Sequence, residues 1–261
     1  MGSPLSRGDM KSIIIFLVAI CFFTLCKVAF AELPEGFVYL KDIDASIQQD
    51  MRYATRHNFV GHPIDGYFAA ECILTKSAAV ALSQVQKELK ASSLSLKVYD
   101  CYRPLQAVSE FIAWSQLPDQ QQMKVEFYPR VDKADFFKLG YVAEKSGHTR
   151  GSTVDLTIVS IPVRQTAVYS GQKPLVACFA PFLARFQDGS IDMGTGFDCM
   201  DEFAHNDNTD VSVVAQMNRQ LLKKLMEKHG FLPYEKEWWH FKLKNEPYLN
   251  TYFNFPVKKH L

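Results

Sequence analysis

The sequence predicts an α+β fold: a largely antiparallel central sheet flanked by helices, in a single catalytic domain. Three observations carry that expectation. Apolar residues recur with helical spacing in some segments and with a period of two in others. The two kinds of segment are interspersed, without a regular strand–helix–strand crossover pattern. No internal repeat, low-complexity tract or polar linker divides residues 32–261.

The first 31 residues are set apart. Lys11 precedes the apolar run from Ile13 to Leu25, and Ala29-Phe30-Ala31 follows, the order of a secretory signal peptide and its cleavage site. The alternative is a membrane anchor, but the run falls short of the ~20 residues a spanning helix needs, and Lys27 interrupts it. Met10 offers an alternative start. Cleavage after Ala31 would remove 31 of 261 residues and leave 230, enough for one sizeable core, with no membrane anchor. The expected destination is periplasmic or secreted. The whole chain carries a formal charge of +1, and the leader holds three basic residues against one acidic, so the remainder stands at −1. That balance speaks against a nucleic-acid partner.

Thr75 can cap a helix that places Ala78, Ala81, Leu82, Val85 and Leu89 on one face and ends near Ala91. Leu94, Leu96 and Val98 then alternate with polar residues, a strand ending at Asp100. Pro104 opens a second helix, which leaves Arg103 in the turn between them. Thr153 to Val159 reads as a strand with Thr153, Asp155 and Thr157 on one face and Val154, Leu156 and Ile158 on the core face. A long helix capped by Asp210 is expected to turn Val214, Met217, Leu221 and Leu225 inward and to stop at Gly230. A last strand covers Trp238 to Leu243.

Four cysteines follow the leader, Cys72, Cys101, Cys178 and Cys199, and none lies in a C-x-x-C spacing. In an oxidising compartment disulfides are the expected use. Of three possible pairings, Cys72 with Cys101 and Cys178 with Cys199 are favoured because each closes a short span.

Two segments carry chemistry. In Ser146-Gly147-His148-Thr149-Arg150-Gly151-Ser152-Thr153-Val154-Asp155, a glycine-flanked histidine precedes a carboxylate on the polar face of a strand. In Glu237-Trp238-Trp239-His240, a carboxylate stands three residues before a histidine among water-excluding rings. Each has a plainer reading, as a loop histidine with a satisfied strand carboxylate and as an aromatic core strand. Together, His148, Asp155 and His240 supply three N/O ligands for one Zn²⁺ and leave the fourth tetrahedral position to water. Three is not a strand period, so Glu237 should sit in the preceding turn or at a bulge, placed as a general base rather than a ligand. Arg103 can hold a developing oxyanion or a carboxylate, or simply pair with Asp100. His57, His62, His205, His229 and His260 lack a second ligand at useful spacing and are expected to be surface or hydrogen-bonded residues.

These residues resemble the D-alanyl-D-alanine dipeptidases, zinc enzymes related to bacterial D,D-carboxypeptidases. The likeness rests on S-x-H-x-x-G-x-x-x-D and E-W-W-H together with Arg52-Tyr53-Ala54-Thr55, Asn58-Phe59, Asp65-Gly66-Tyr67, Asp100-Cys101-Tyr102-Arg103-Pro104 and Asp192-Met193-Gly194-Thr195-Gly196-Phe197-Asp198, in order. Thr153 departs from the alanine common there. The resemblance implies zinc on His148, Asp155 and His240, catalysis by Glu237, and stabilisation of a tetrahedral intermediate by Arg103. It further implies Asp198 near the substrate ammonium, Ser146 as a hydrogen-bonding residue of the pocket, and a small D,D-dipeptide as substrate. Action on longer cell-wall peptides, as a carboxypeptidase or endopeptidase, is the nearest alternative. A non-catalytic, zinc-dependent protein that binds cell-wall peptides is the alternative from another class.

Overall fold

Alternating apolar positions shape the central strands β4 (Leu94–Asp100) and β5 (Thr153–Ser160) of a five-stranded sheet completed by β2 (Gln48–Gln49), β6 (Phe231–Tyr234) and β7 (Glu237–Leu243). This computed structural model describes residues 33–163 and 166–260; the expected signal peptide, with its alternative start, lies outside the described residues. The strand order is β2-β4-β5-β7-β6, and only β2 runs parallel to its neighbour. A separate pair, β1 (Phe37–Tyr39) and β3 (Ile73–Thr75), is antiparallel. The helices are α1 (Leu40–Ile43), α2 (Lys76–Lys90), α3 (Leu105–Ser115), α4 (Lys124–Phe127), α5 (Phe136–Leu139) and α6 (Val213–Lys228). Leu33–Leu261 forms one compact unit, as the α+β reading anticipates.

The chain has two hydrophobic cores, one of them packed on the sheet. In that core Leu82, Val85 and Leu89 of α2 and Leu222 and Met226 of α6 pack with Leu96, Val98, Val154, Leu156 and Ile158. Each such side chain, fully buried, contributes about 1.5–3 kcal/mol. Thr75 caps α2 as expected, its Oγ1 accepting from the Ala78 amide. The second core is aromatic, built around α3 from Tyr53, Phe59, Phe111, Trp114, Phe127 and Phe136.

Helix α6 departs from its sequence reading. Ser212, not Asp210, is the cap, accepting from the Ala215 amide at 3.1 Å. The buried face is Ala215, Arg219, Leu222 and Met226, while Val214, Met217 and Leu221 are exposed. The expected stripe fails because Arg219 goes inward, its guanidinium donating to the carbonyls of Met193, His205 and Phe203. Three backbone acceptors offset the cost of burying the charge and rotate the helix to suit. Both expected disulfides form, Cys72–Cys101 and Cys178–Cys199.

Candidate metal centre

Strand register assembles the site. Asp100 of β4 lies opposite Asp155 of β5, and Asp155 lies opposite His240 of β7, so the three stand in a row across adjacent strands. Directly opposed residues share a face of the sheet. His148 joins them from a 3₁₀ turn, Gly147–Arg150, that leads into β5. Ser146 caps this turn, its Oγ accepting from the His148 amide at 3.3 Å. Gly151 closes it with φ +80, and a Cβ there would meet Phe37 Cε1 at 2.1 Å, so only glycine lets the turn seat against that ring.

Among the described residues, His148, Asp155 and His240 form the group able to hold a metal ion. His148 Nε2 and His240 Nδ1 lie 3.3 Å and 3.0 Å from Asp155 Oδ1, and 3.3 Å from each other. Donors bound 2.0–2.1 Å from a tetrahedral zinc stand about 3.3–3.4 Å apart, so the triangle is of the right size. The donors are also prepared. His148 Nδ1 sits 2.8 Å from the Cys101 carbonyl, which can only accept, so the proton is on Nδ1 and the Nε2 lone pair faces the cluster. Asp155 Oδ1 is buried without a hydrogen-bond partner. Burial alone would raise the Asp155 carboxyl, yet the two imidazoles hold it below the ordinary carboxylate range. The residues fit a small cation of borderline N/O preference.

Glu237 is the first residue of β7 and stands at a bulge, as its spacing requires. Pairing with β6 jumps from Pro233–Phe241 to Tyr234–Glu237, so Trp238 to His240 are skipped on that side. The irregularity lets both adjacent tryptophans be buried while Glu237 Oε2 comes within 3.4 Å of His240 Nδ1. Burial pushes the Glu237 carboxyl up to about 7.

Arg103, in the turn after β4, sends Nε and Nη2 to Asp100 Oδ2 at 2.9 Å, with Asp155 Oδ2 at 3.8 Å. The pairing with Asp100 considered from sequence is therefore present, and it aims Arg103 at the cluster. Asp198 has φ 56, a conformation rare for non-glycine residues, and its Oδ2 accepts from Tyr53 Oη at 2.9 Å. Burial, reinforced by Asp155 and Glu237, raises its carboxyl well above the ordinary value.

A cavity of about 280 Å³ gathers Arg103, Ser146, His148, Asp198, Glu237 and His240 on its wall. Asp155, the seventh residue expected from sequence, is 2% exposed against the two histidines. Two further residues belong to the site. Asp100 is fully buried and binds Arg103 and Tyr67 Oη while standing 3.4 Å from His148 Nδ1. Tyr53 orients Asp198. A carboxylate at the end of a strand, three residues before Arg103, signalled Asp100; Tyr53 had no signal beyond its motif. None of His57, His62, His205, His229 and His260 joins the cluster.

A family model described as D-ala-D-ala dipeptidase, Peptidase_M15, matches residues 34–165 and 180–258. The chain is 36% identical over 225 residues to the D-alanyl-D-alanine dipeptidase of Enterococcus faecalis, covering 86% of this chain and 100% of the relative. To that of Streptomyces coelicolor it is 37% identical over 221 residues, covering 85% and 98%. To that of Escherichia coli it is 33% identical over 207 residues, covering 79% and 83%. With that extent of match, and with six of the seven expected site residues on one cavity wall and Asp155 buried behind it against the two histidines, the chain belongs to the Peptidase_M15 family of D-alanyl-D-alanine dipeptidases.

Proposed function

We propose that this metallopeptidase hydrolyses D-Ala-D-Ala to two molecules of D-alanine, with one zinc ion held by His148, Asp155 and His240. The observation that carries the reading is the convergence, on one 280 Å³ cavity, of that ligand set with the raised carboxyl of Glu237 and the guanidinium of Arg103. Zinc, when bound, supplies Lewis acidity that polarises the scissile carbonyl and makes water acidic enough to attack near neutral pH.

The side chains supply the rest. Glu237, its carboxyl raised by burial, accepts a proton from the attacking water as the new C–O bond forms, then returns it to the amine as the C–N bond breaks. Arg103, kept charged and aimed by Asp100, stabilises the negative charge on the carbonyl oxygen. Asp198, held by Tyr53, receives the substrate ammonium, whose charge draws the buried carboxyl into its ionised form. Ser146, on the cavity wall, offers a hydrogen bond to the bound dipeptide. An ammonium acceptor at the cavity wall favours a free dipeptide over a longer chain.

The two buried disulfides support an oxidising destination, periplasmic or secreted, with residues 1–31 as the export signal. Among the described residues no helix is long and apolar enough to cross a membrane.

Purified protein incubated with D-Ala-D-Ala, L-Ala-L-Ala and a pentapeptide ending in D-Ala-D-Ala tests the reading. Release of D-alanine from the first substrate, abolished by a chelator and restored by zinc, is expected. Equal cleavage of the pentapeptide would assign the chain to carboxypeptidase chemistry instead.

A further inference from the structure

The β1–β3 pair forms no part of the five-stranded sheet, yet β3 is fastened to both segments that meet at the metal centre. Just before β3, Cys72 is bonded to Cys101 in the segment leaving β4, and Ile73 O accepts from the Tyr102 amide at 2.9 Å. At the other end of β3, the Thr75 amide donates to Gly151 O at 2.7 Å, and Thr75 Oγ1 lies 2.7 Å from Ser152 Oγ. Gly151 and Ser152 follow directly on the turn that carries His148. Phe37, opposite Thr75 on β1, is the ring that seats against Gly151.

The two segments are otherwise joined only remotely. Along the chain, 47 residues separate Cys101 from His148, running through α3, α4 and α5. The β4–β5 ladder stops short of them: its last pair is Asp100 with Asp155, past an irregularity between Val98 and Asp100. Where they meet, His148 Nδ1 donates to Cys101 O at 2.8 Å and the Arg103 amide donates to His148 O at 3.3 Å. The first bond decides which His148 nitrogen faces the ligand cluster. A carbonyl behind a ligating imidazole orients the ring and strengthens its basicity, and it does so only while the two segments keep their separation. Strand β3 spans that separation through one covalent bond and three hydrogen bonds, and both cysteines are fully buried.

We infer that β3 is a brace for the metal centre, in which the Cys72–Cys101 disulfide and the Thr75–Ser152 hydrogen bond hold the Cys101 carbonyl against His148 and thereby set the zinc affinity. The inference rests on the ligand set of the proposed function. It adds positioning residues that touch neither metal nor substrate.

Zinc affinity, measured by competition with a chromophoric chelator on folded protein, tests it. Cys72→Ala/Cys101→Ala removes the bridge but keeps the backbone carbonyl at position 101, and should weaken zinc about 10-fold, the lower end of what lost support behind a ligand costs. Cys178→Ala/Cys199→Ala is the control. It removes a disulfide of comparable span, 21 residues against 29, whose cysteines make no hydrogen bond to a metal ligand among the described residues, and zinc affinity should stay parental. Ser152→Ala leaves every cysteine in place and decides the matter if the first variant does not fold; it should weaken zinc about 3-fold, the share of one neutral hydrogen bond. A parent that binds no zinc would overturn the ligand set and the brace together. With a parent that binds zinc, parental affinity in folded Cys72→Ala/Cys101→Ala or in Ser152→Ala, or equal weakening by the control, would overturn the brace alone.

Discussion

Asp100 Oδ2 lies 2.9 Å from both Nε and Nη2 of Arg103, inside a site where Asp100 itself is fully buried. The same oxygen stands 3.4 Å from His148 Nδ1, so one carboxylate aims both the proposed oxyanion partner and a proposed metal ligand. Asp100→Asn keeps the volume but removes the charge that Arg103 faces. Stability should fall by about 3 kcal/mol and metal affinity by about 10–100-fold. Urea titration and chelator competition on the same variant measure both. Parental values in both would remove Asp100 from the site.

Asp188 gives a pH dependence away from the metal. Burial alone would raise its carboxyl, but Lys97, Arg52 and Tyr99 hold it below the ordinary range. Lys97 moves against a simple pair, since burial lowers its ammonium more than Asp188 raises it; the stabilisation is therefore credited to the carboxylate. A depressed acid stabilises above its unfolded pKa of about 3.9 and loses that contribution as pH falls further. Asp188→Asn should accordingly cost about 3 kcal/mol at pH 7. That deficit should hold at pH 5 and shrink below pH ~4. A deficit independent of pH in chemical denaturation would contradict the assignment.

Asp198 should govern which end of a peptide the cavity accepts. Asp198→Asn removes a charge-assisted hydrogen bond worth about 1.5–3 kcal/mol, so KM for D-Ala-D-Ala should rise about 10–100-fold with a smaller change in kcat. The parent's preference for the free dipeptide over its N-acetyl form should narrow to match. An unchanged preference in steady-state kinetics would place the ammonium elsewhere.

Legibility in the sequence followed how local each determinant is. Thr75 caps α2 and the alternation from Leu94 to Asp100 makes β4 because short-range pattern decides both. The bulge at Glu237 was legible because a three-residue spacing between two functional groups conflicts with a strand's period. Helix α6 misled because its apolar stripe competes with a distant requirement: Arg219 finds its carbonyls on the chain between Met193 and His205. The row Asp100–Asp155–His240 was hidden for a similar reason, since strand order is a long-range property. Local spacing therefore offers Asp100 only as a partner of Arg103.

In the proposed reaction Glu237 moves protons and does not hold the metal. Glu237 lies 3.4 Å from His240 Nδ1, outside the three-atom ligand cluster, with its carboxyl raised to about 7. Glu237→Gln preserves the side chain's size and removes its capacity to take a proton. Metal content and kcat, measured on one preparation of the variant, test the claim most directly. Stoichiometric zinc is expected, with kcat lower by about 10²–10⁴-fold, the usual worth of general-base catalysis. A zinc-loaded variant with near-parental kcat, or one that loses zinc and activity together, would contradict it.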